Sequence, residues 1–254
     1  MSEVLLAAAG ITKRFGGLLA CDGVSIEVRM GETHALIGPN GAGKTTLLAQ
    51  LAGELAPDQG TIRLAGRDVT ALPAHARSAR GLARSFQITS VLRPFSVLDN
   101  VALAIQAHQG HSFRFWRPAQ RDSALIDPAR AVLARIGLDH RADSLAGDLS
   151  HGEQRQLEIG MALATAPKLL LLDEPTAGMA RAESLGMVTL LKSLRAEMGL
   201  LLVEHDMDTV FALADRITVM SYGRVIASGA PEAIRASPEV RAAYLGVDEA
   251  GSHA

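Results

Sequence analysis

Eight consecutive residues of this chain have the types and spacing for phosphate chemistry. Gly38–Thr45 reads G-P-N-G-A-G-K-T, a complete G-x-x-x-x-G-K-[ST] loop. It follows the apolar run Thr33–Ile37 and opens the helix-like stretch Lys44–Ala52. Strand, glycine loop and helix is the context in which this spacing binds phosphate. Glycines let the backbone bend so that its N–H groups face inward. The helix start adds unpaired N–H groups and the positive end of a dipole. Lys44 supplies a point charge for β- and γ-phosphates, and the Thr45 hydroxyl is the expected Mg2+ ligand. Gly38, Pro39, Asn40, Gly41, Ala42, Gly43, Lys44, Thr45 and Thr46 are therefore the candidate nucleotide contacts.

Leu169–Glu174 reads L-L-L-L-D-E. Four apolar residues ending in two acids describe a buried strand that delivers carboxylates at its carboxyl end, the edge where ligands sit in open α/β sheets. Asp173 is placed to hold Mg2+, and Glu174 to polarise an attacking water. The alternative is that these acids cap the next helix. Leu149–Gln154 reads L-S-H-G-E-Q before a long helical stretch. Ser150 and Gly152 offer hydroxyl and backbone N–H donors to an anion. Read locally, Ser150 and Glu153 form an ordinary capping box.

The elements that must position these residues follow from periodicity. Strands are expected at Val4–Ala8, Val24–Val28, Thr33–Ile37, Thr61–Leu64, Leu82–Phe86, Leu169–Asp173, Leu200–Glu204, Ile217–Ser221 and Arg224–Ala227. Helices are expected at Lys44–Ala52, Val97–Ala107, Pro128–Ile136, Gly152–Ala164, Arg181–Glu197 and Asp208–Leu213. This interleaving implies parallel crossover units. The continuously apolar runs Leu169–Leu172 and Leu200–Val203 suit central strands covered on both faces. Residues 90–164 read as a mostly helical subdomain inserted into a core of 1–89 and 165–254. Within it, 106–120 is basic and aromatic, with Phe113, Arg114, Phe115, Trp116 and Arg117. That stretch reads as a surface loop, as a patch facing a partner or membrane, or, against the neutral charge of the rest of the chain, as a surface for stacking nucleic-acid bases.

A net charge of −2 gives no global field for nucleic acid, so no nucleic-acid partner is expected. The single cysteine, Cys21, excludes an internal disulfide and reads as an inert small hydrophobe. The N-terminus lacks the basic region of a signal peptide, and no apolar run is long enough to span a bilayer.

The order of these motifs resembles the ATP-binding cassette (ABC) ATPases, with L-S-H-G-E-Q in the place of their signature motif. The resemblance covers nearly the whole chain. It implies an α/β fold: a P-loop NTPase core of mostly parallel sheet, an antiparallel N-terminal β region and an inserted helical subdomain. It implies ATP and Mg2+ as cofactors. Phe15, in T-K-R-F-G-G, matches the family's adenine-stacking aromatic, with a core Phe as the alternative. Gln87, in R-S-F-Q, matches the loop glutamine that reaches Mg2+ and the attacking water. His205, after L-L-V-E, matches the switch histidine on the γ-phosphate, with a structural or solvated histidine as the alternative. The family further implies two cassettes, identical or paralogous, paired head to tail. Each ATP would then lie between one phosphate loop and Ser150, Gly152 and Glu153 of the other chain. Separate transmembrane permease subunits are implied, with a solute-binding protein as an indirect partner, and a peripheral place at the cytoplasmic face.

Two departures stand out. Ala177–Ala180 reads A-G-M-A where the family usually has S-A-L-D, and His151 replaces a signature glycine. The segments L-E-I-G-M-A-L-A, D-E-P-T-A-G-M and A-I-R-A-S-P-E-V-R-A-A-Y-L-G are similar to the ATPases of branched-chain amino acid importers and their urea and amide relatives. The expected function is ATP hydrolysis that energises such an importer. Rival functions are a soluble cassette ATPase uncoupled from transport, a phosphate-loop kinase and a nucleotide-regulated scaffold.

Overall fold

The computed structural model describes residues 2–85, 91–109 and 122–248. Two sheets organise it. The first is antiparallel, with β1 (Val4–Phe15), β2 (Leu18–Arg29), β4 (Gln59–Leu64) and β5 (Arg67–Asp68) in the order β2-β1-β4-β5. The second contains β3 (Thr33–Ile37), β6 (Leu82–Arg84), β7 (Leu169–Asp173), β8 (Gly199–Val203), β9 (Arg216–Ser221) and β10 (Arg224–Gly229). Its order is β10-β9-β3-β8-β7-β6, parallel throughout except for β10, which pairs antiparallel with β9.

The parallel sheet explains the leucine runs. Leu169 and Leu171 of β7 enter one core with Leu36, Leu201 and Val203. Leu170 and Leu172 enter another with Ala35, Leu200 and Leu202. Alternation sends successive side chains to opposite faces, and both faces are covered, so all four leucines of β7 are buried. The first core lies against the antiparallel sheet and α1 (Lys44–Ala52). The second holds the apolar faces of α3 (Val97–Gln109), α4 (Ser123–Arg135), α5 (His151–Leu163) and α6 (Arg181–Leu194).

Several boundaries differ from expectation. β1 and β2 are each 12 residues long, because antiparallel pairing with bulges carries them through polar residues that break the apolar pattern. Helix α4 starts at Ser123 on an Asp122 cap and keeps Pro128 inside it, where the sequence suggested a helix beginning at the proline. β8 stops at Val203, and α6 stops at Leu194. Phe86 lies outside the described residues, as does most of the aromatic insert; only Gln106–Gln109 is described, as the end of α3.

A short helix escaped sequence reading altogether, α2 (Ala74–Ser78). It carries Arg77, only 1% exposed. The Arg77 guanidinium donates to the carbonyls of Gln50 and Leu51 at 2.7 and 2.8 Å, and to those of Leu72 and Thr70. A cation there satisfies the last carbonyls of α1 and faces the negative end of its dipole. The far end of the phosphate-loop helix is thereby anchored. The remaining helices are α7 (Met207–Leu213), α8 (Pro231–Ala236) and α9 (Pro238–Asp248). Among the described residues, no helix is long and apolar enough to cross a membrane.

Candidate nucleotide-binding and hydrolysis site

Three neighbouring strands end at the same level. Leu36 of β3 pairs with Val203 of β8, and Val203 pairs with Asp173 of β7. The residues that follow therefore emerge together: the glycine loop after β3, Glu204 and His205 after β8, and Glu174 after β7. The adjoining edge strand β6 leads toward Gln87, which lies outside the described residues.

The loop is packed tightly at its base. Gly43, the N-cap of α1, has φ 99°, a left-handed conformation. A Cβ there would collide with the carbonyl oxygen of Ala20 on β2. Gly223 N–H donates to Ala42 O at 3.0 Å, which pins the loop to the β9–β10 turn. Lys44 is buried, and its Nζ donates to the carbonyls of Gly38 and Pro39 at 2.7 and 3.0 Å. Burial lowers the Lys44 pKa, opposed by the charges of Glu174 and Asp173.

Asp173 is 1% exposed. Burial raises its pKa, and the Arg84 guanidinium opposes the rise through a 3.1 Å contact from Nη2 to Oδ2. Arg84 also pairs with Glu54, just past the end of α1. Glu174 is more open, with its side chain 34% exposed, and holds a left-handed backbone at φ 48°. Its N–H donates to Val203 O at 2.9 Å. His205 Nδ1 stands 3.5 Å from Glu174 Oε1. The histidine side chain is 61% exposed, so it is not a core residue. The acids do not serve as caps: α6 begins at Arg181.

Mg2+ takes oxygen donors and usually keeps waters and phosphates in its shell. The donors here are of that chemical kind: the hydroxyl of the exposed Thr45 at the start of α1 and the carboxylate of Asp173 at the end of β7. Among the described residues no group of three or more His, Cys, Asp or Glu side chains could hold a metal alone.

Phe15 ends β1 at the Gly16–Gly17 turn and is 49% exposed, which excludes the core alternative. Lys13 Nζ lies 5.7 Å from its ring centre. Ser150 forms the capping box read from the sequence: its Oγ accepts from Glu153 N–H at 3.2 Å, and Glu153 Oε2 accepts from Ser150 N–H at 2.8 Å. The Ser150 hydroxyl also donates to Glu183 Oε1 at 3.1 Å. His151, the departure from the signature pattern, contacts Ala177 O at 3.3 Å. The two departures are thus neighbours in the fold. Within this chain Ser150 and Gly152 belong to the start of α5, and they are not brought to the chain's own phosphate loop by any described contact.

The profile of the ABC transporter family matches residues 21–177. The chain belongs to the ABC transporter ATP-binding cassettes. A second profile, the branched-chain amino acid ATP-binding cassette transporter, matches residues 224–250. The cassette is 42% identical over 255 residues to the high-affinity branched-chain amino acid transport ATP-binding protein LivG of Salmonella typhimurium, covering 97% of this chain and 99% of that one. It is 39% identical over 253 residues to the corresponding BraF of Pseudomonas aeruginosa, with the same coverage. Among solved structures it superposes on the ADP conformation of MJ1267, an ATP-binding cassette of an ABC transporter, with TM-score 0.85 and 32% identity over 96% of this chain and 99% of that one. A nucleotide-free cassette from an ABC transporter gives TM-score 0.85 and 31% identity, covering 95% and 98%. Cassettes of this family hydrolyse ATP, so this one is a nucleotide-binding ATPase that serves a membrane transporter.

Sequence reading missed Glu204 and Arg84. Glu204 stood at the end of an apolar run and looked like strand. Arg84 preceded the glutamine that drew attention. Only the folded side chains show Arg84 on Asp173, and Glu204 on Thr176 and the His205 N–H.

Proposed function

We propose that this cassette is the Mg2+-dependent ATP-hydrolysing subunit of an importer for branched-chain amino acids or related small polar solutes such as urea and amides. It would work at the cytoplasmic face beside separate permease subunits, with a solute-binding protein meeting those subunits. The observation that carries the reading is the convergence of Lys44, His205, Asp173 and Glu174 at the ends of β3, β8 and β7. The relatives named for branched-chain amino acid transport support the substrate class.

In this mechanism the loop N–H groups from Gly38 to Thr46 cradle the phosphates, and Lys44 balances their charge. The adenine stacks on the open face of Phe15. Thr45, Asp173 and Gln87 would hold Mg2+, which supplies charge neutralisation at the phosphates when bound. Glu174 accepts the proton of the attacking water, while His205 and Gln87 orient it. Ser150, Gly152 and Glu153 of a second cassette complete the site from its helix start. Catalysis is then positioning and electrostatics.

Residues 1–89 and 165–254 would form the nucleotide-binding lobe and 90–164 the helical lobe. A cavity of about 330 Å³ lies between them, lined by Ala52, His75, Leu82, Arg84, Met161 and Thr165 among others. Leu92 and Phe95 are 43% and 45% exposed. An apolar cleft suits a short helix from a permease, and the exposed Leu92 and Phe95, which do not line it, would add apolar contact outside it. Glu174→Gln tests the chemistry. It should bind Mg-ATP, barely turn over, and elute as a larger species in size exclusion. Normal turnover with no larger species would remove Glu174 as the base.

A further inference from the structure

We propose that Glu204 is a positioning residue for hydrolysis, whose buried carboxylate locks the loop bearing Glu174 to the loop bearing His205. The inference rests on the hydrolytic reading above and concerns a residue that reading does not use.

Glu204 is 0% exposed and follows the last residue of β8. Its Oε1 accepts two hydrogen bonds from one residue of the acid loop: Thr176 N–H at 3.0 Å and Thr176 Oγ1 at 2.6 Å. Its Oε2 accepts from the backbone N–H of His205 at 3.1 Å. One carboxylate therefore joins two loops that leave adjacent strands. Glu174 lies between two anchors, since its own N–H is held by Val203 O and Thr176, two residues on, is held by Glu204. That double hold keeps a non-glycine residue in a left-handed backbone it does not adopt unaided.

The charge itself needs a reason. A buried carboxylate is costly unless paired and hydrogen-bonded. Among the described residues no Lys or Arg forms an ion pair with Glu204; the one basic group facing it is His205, with Nδ1 at 4.0 Å from Oε2. Glu174 Oε1 faces the same nitrogen at 3.5 Å. Two carboxylates thus lie on the Nδ1 side of the ring, and Glu204 also holds the His205 backbone. Glu204 therefore fixes the spacing of Glu174 and His205, the pair that orients water. A glutamine has one acceptor oxygen and could hold only one of the two loops.

The test compares full-length chains at one protein concentration. Glu204→Gln keeps an oxygen for Thr176 but presents an NH2 group toward the His205 N–H. We expect KM for Mg-ATP to stay within about twofold and kcat to fall at least about tenfold, less than the roughly hundredfold that loss of a general acid or base costs at minimum, because Glu204 acts only through Glu174 and His205. Thr176→Val, which removes one donor and leaves the charge, should lower kcat by a few-fold in the same direction and serves if Glu204→Gln does not fold. Nitrogen-15 spectra, with the signals of His205 identified by their loss in His205→Gln, should show the His205 backbone and ring signals shifted in Glu204→Gln, because one of the two loop anchors is lost. Introduced into His205→Gln, Glu204→Gln should cost less than about twofold further, because residues acting as a unit are not additive. An unchanged kcat, an equal loss in both backgrounds, or an unchanged His205 spectrum would each overturn the proposal. If wild type hydrolyses ATP and Glu174→Gln does not, but Glu204→Gln is normal, this inference fails alone. If Glu174→Gln is also normal, the hydrolytic reading fails with it.

Discussion

Two glycines in one loop offer a matched experiment. Gly43 and Gly41 both hold positive φ, at 99° and 78°. They differ in the space around a methyl group. At Gly43 a Cβ would collide with Ala20 O and stand 3.3 Å from Ala20 C. At Gly41 nothing lies within 4 Å. Alanine at either position meets the left-handed penalty of about 1–2 kcal/mol, partly offset by about 0.4–1 kcal/mol from a stiffer unfolded chain. Gly43→Ala adds overpacking, about 1–3 kcal/mol. Ala20 has little freedom to retreat, because its neighbours Leu19 and Cys21 pair with β1. The loop must give instead, by about an ångström, given an ordinary C···O approach of ~3.3 Å. Gly41→Ala should thus cost about 1 kcal/mol of unfolding free energy and Gly43→Ala about 2–4 kcal/mol. Shifting the loop donors should weaken ATP at least about tenfold in Gly43→Ala, the loss of one charge-assisted hydrogen bond. Equilibrium urea unfolding and titration with a fluorescent ATP analogue measure the two effects. Equal stability losses in the two variants would refute the steric argument, as would native ATP affinity in Gly43→Ala.

Burial lowers the His34 pKa to about 4, with the Glu27 carbonyl raising it and Arg216 lowering it further. The folded state therefore prefers the neutral ring; its contribution is complete above pH 6.5 and drains away as pH falls toward 4. Between pH 7 and 4.5 that is about 2–3 kcal/mol. His34→Gln should flatten the urea midpoint over that range relative to wild type, and an unchanged slope would exclude His34. Arg84→Leu leaves Asp173 buried without its cation, so about 3 kcal/mol of stability should be lost and the acidic limb of the ATPase pH profile should move upward; an unmoved limb would detach Asp173 from turnover. Leu92→Asp should leave ATP binding by the isolated cassette intact and weaken recovery with the permease subunits in a pull-down, whereas normal recovery would shift docking to another surface.

The glycine loop and the two acids were legible because their chemistry forces local sequence: glycines where methyl groups collide, and apolar runs where a strand is covered twice. Those constraints act over a few residues and leave a pattern. Arg77 left none. A sequence suggests that arginine faces water, and only folding shows that it closes the end of α1. Glu204 failed for a related reason, because its partners Thr176 and His205 come from different loops. The long strand β1 was read short because Gly10 and the polar residues beyond it interrupt the alternation, while bulges let pairing continue.

The backbone of Glu174 has a consequence for anyone who would improve this protein. Left-handed φ favours glycine or asparagine at that position. A library screened for heat resistance should therefore enrich Glu174→Gly or Glu174→Asn, and the winners should be sturdier molecules with little turnover. Consensus drawn from activity would restore the glutamate. The two selections would pull one site in opposite directions, so the trade between endurance and work can be located at a single φ angle.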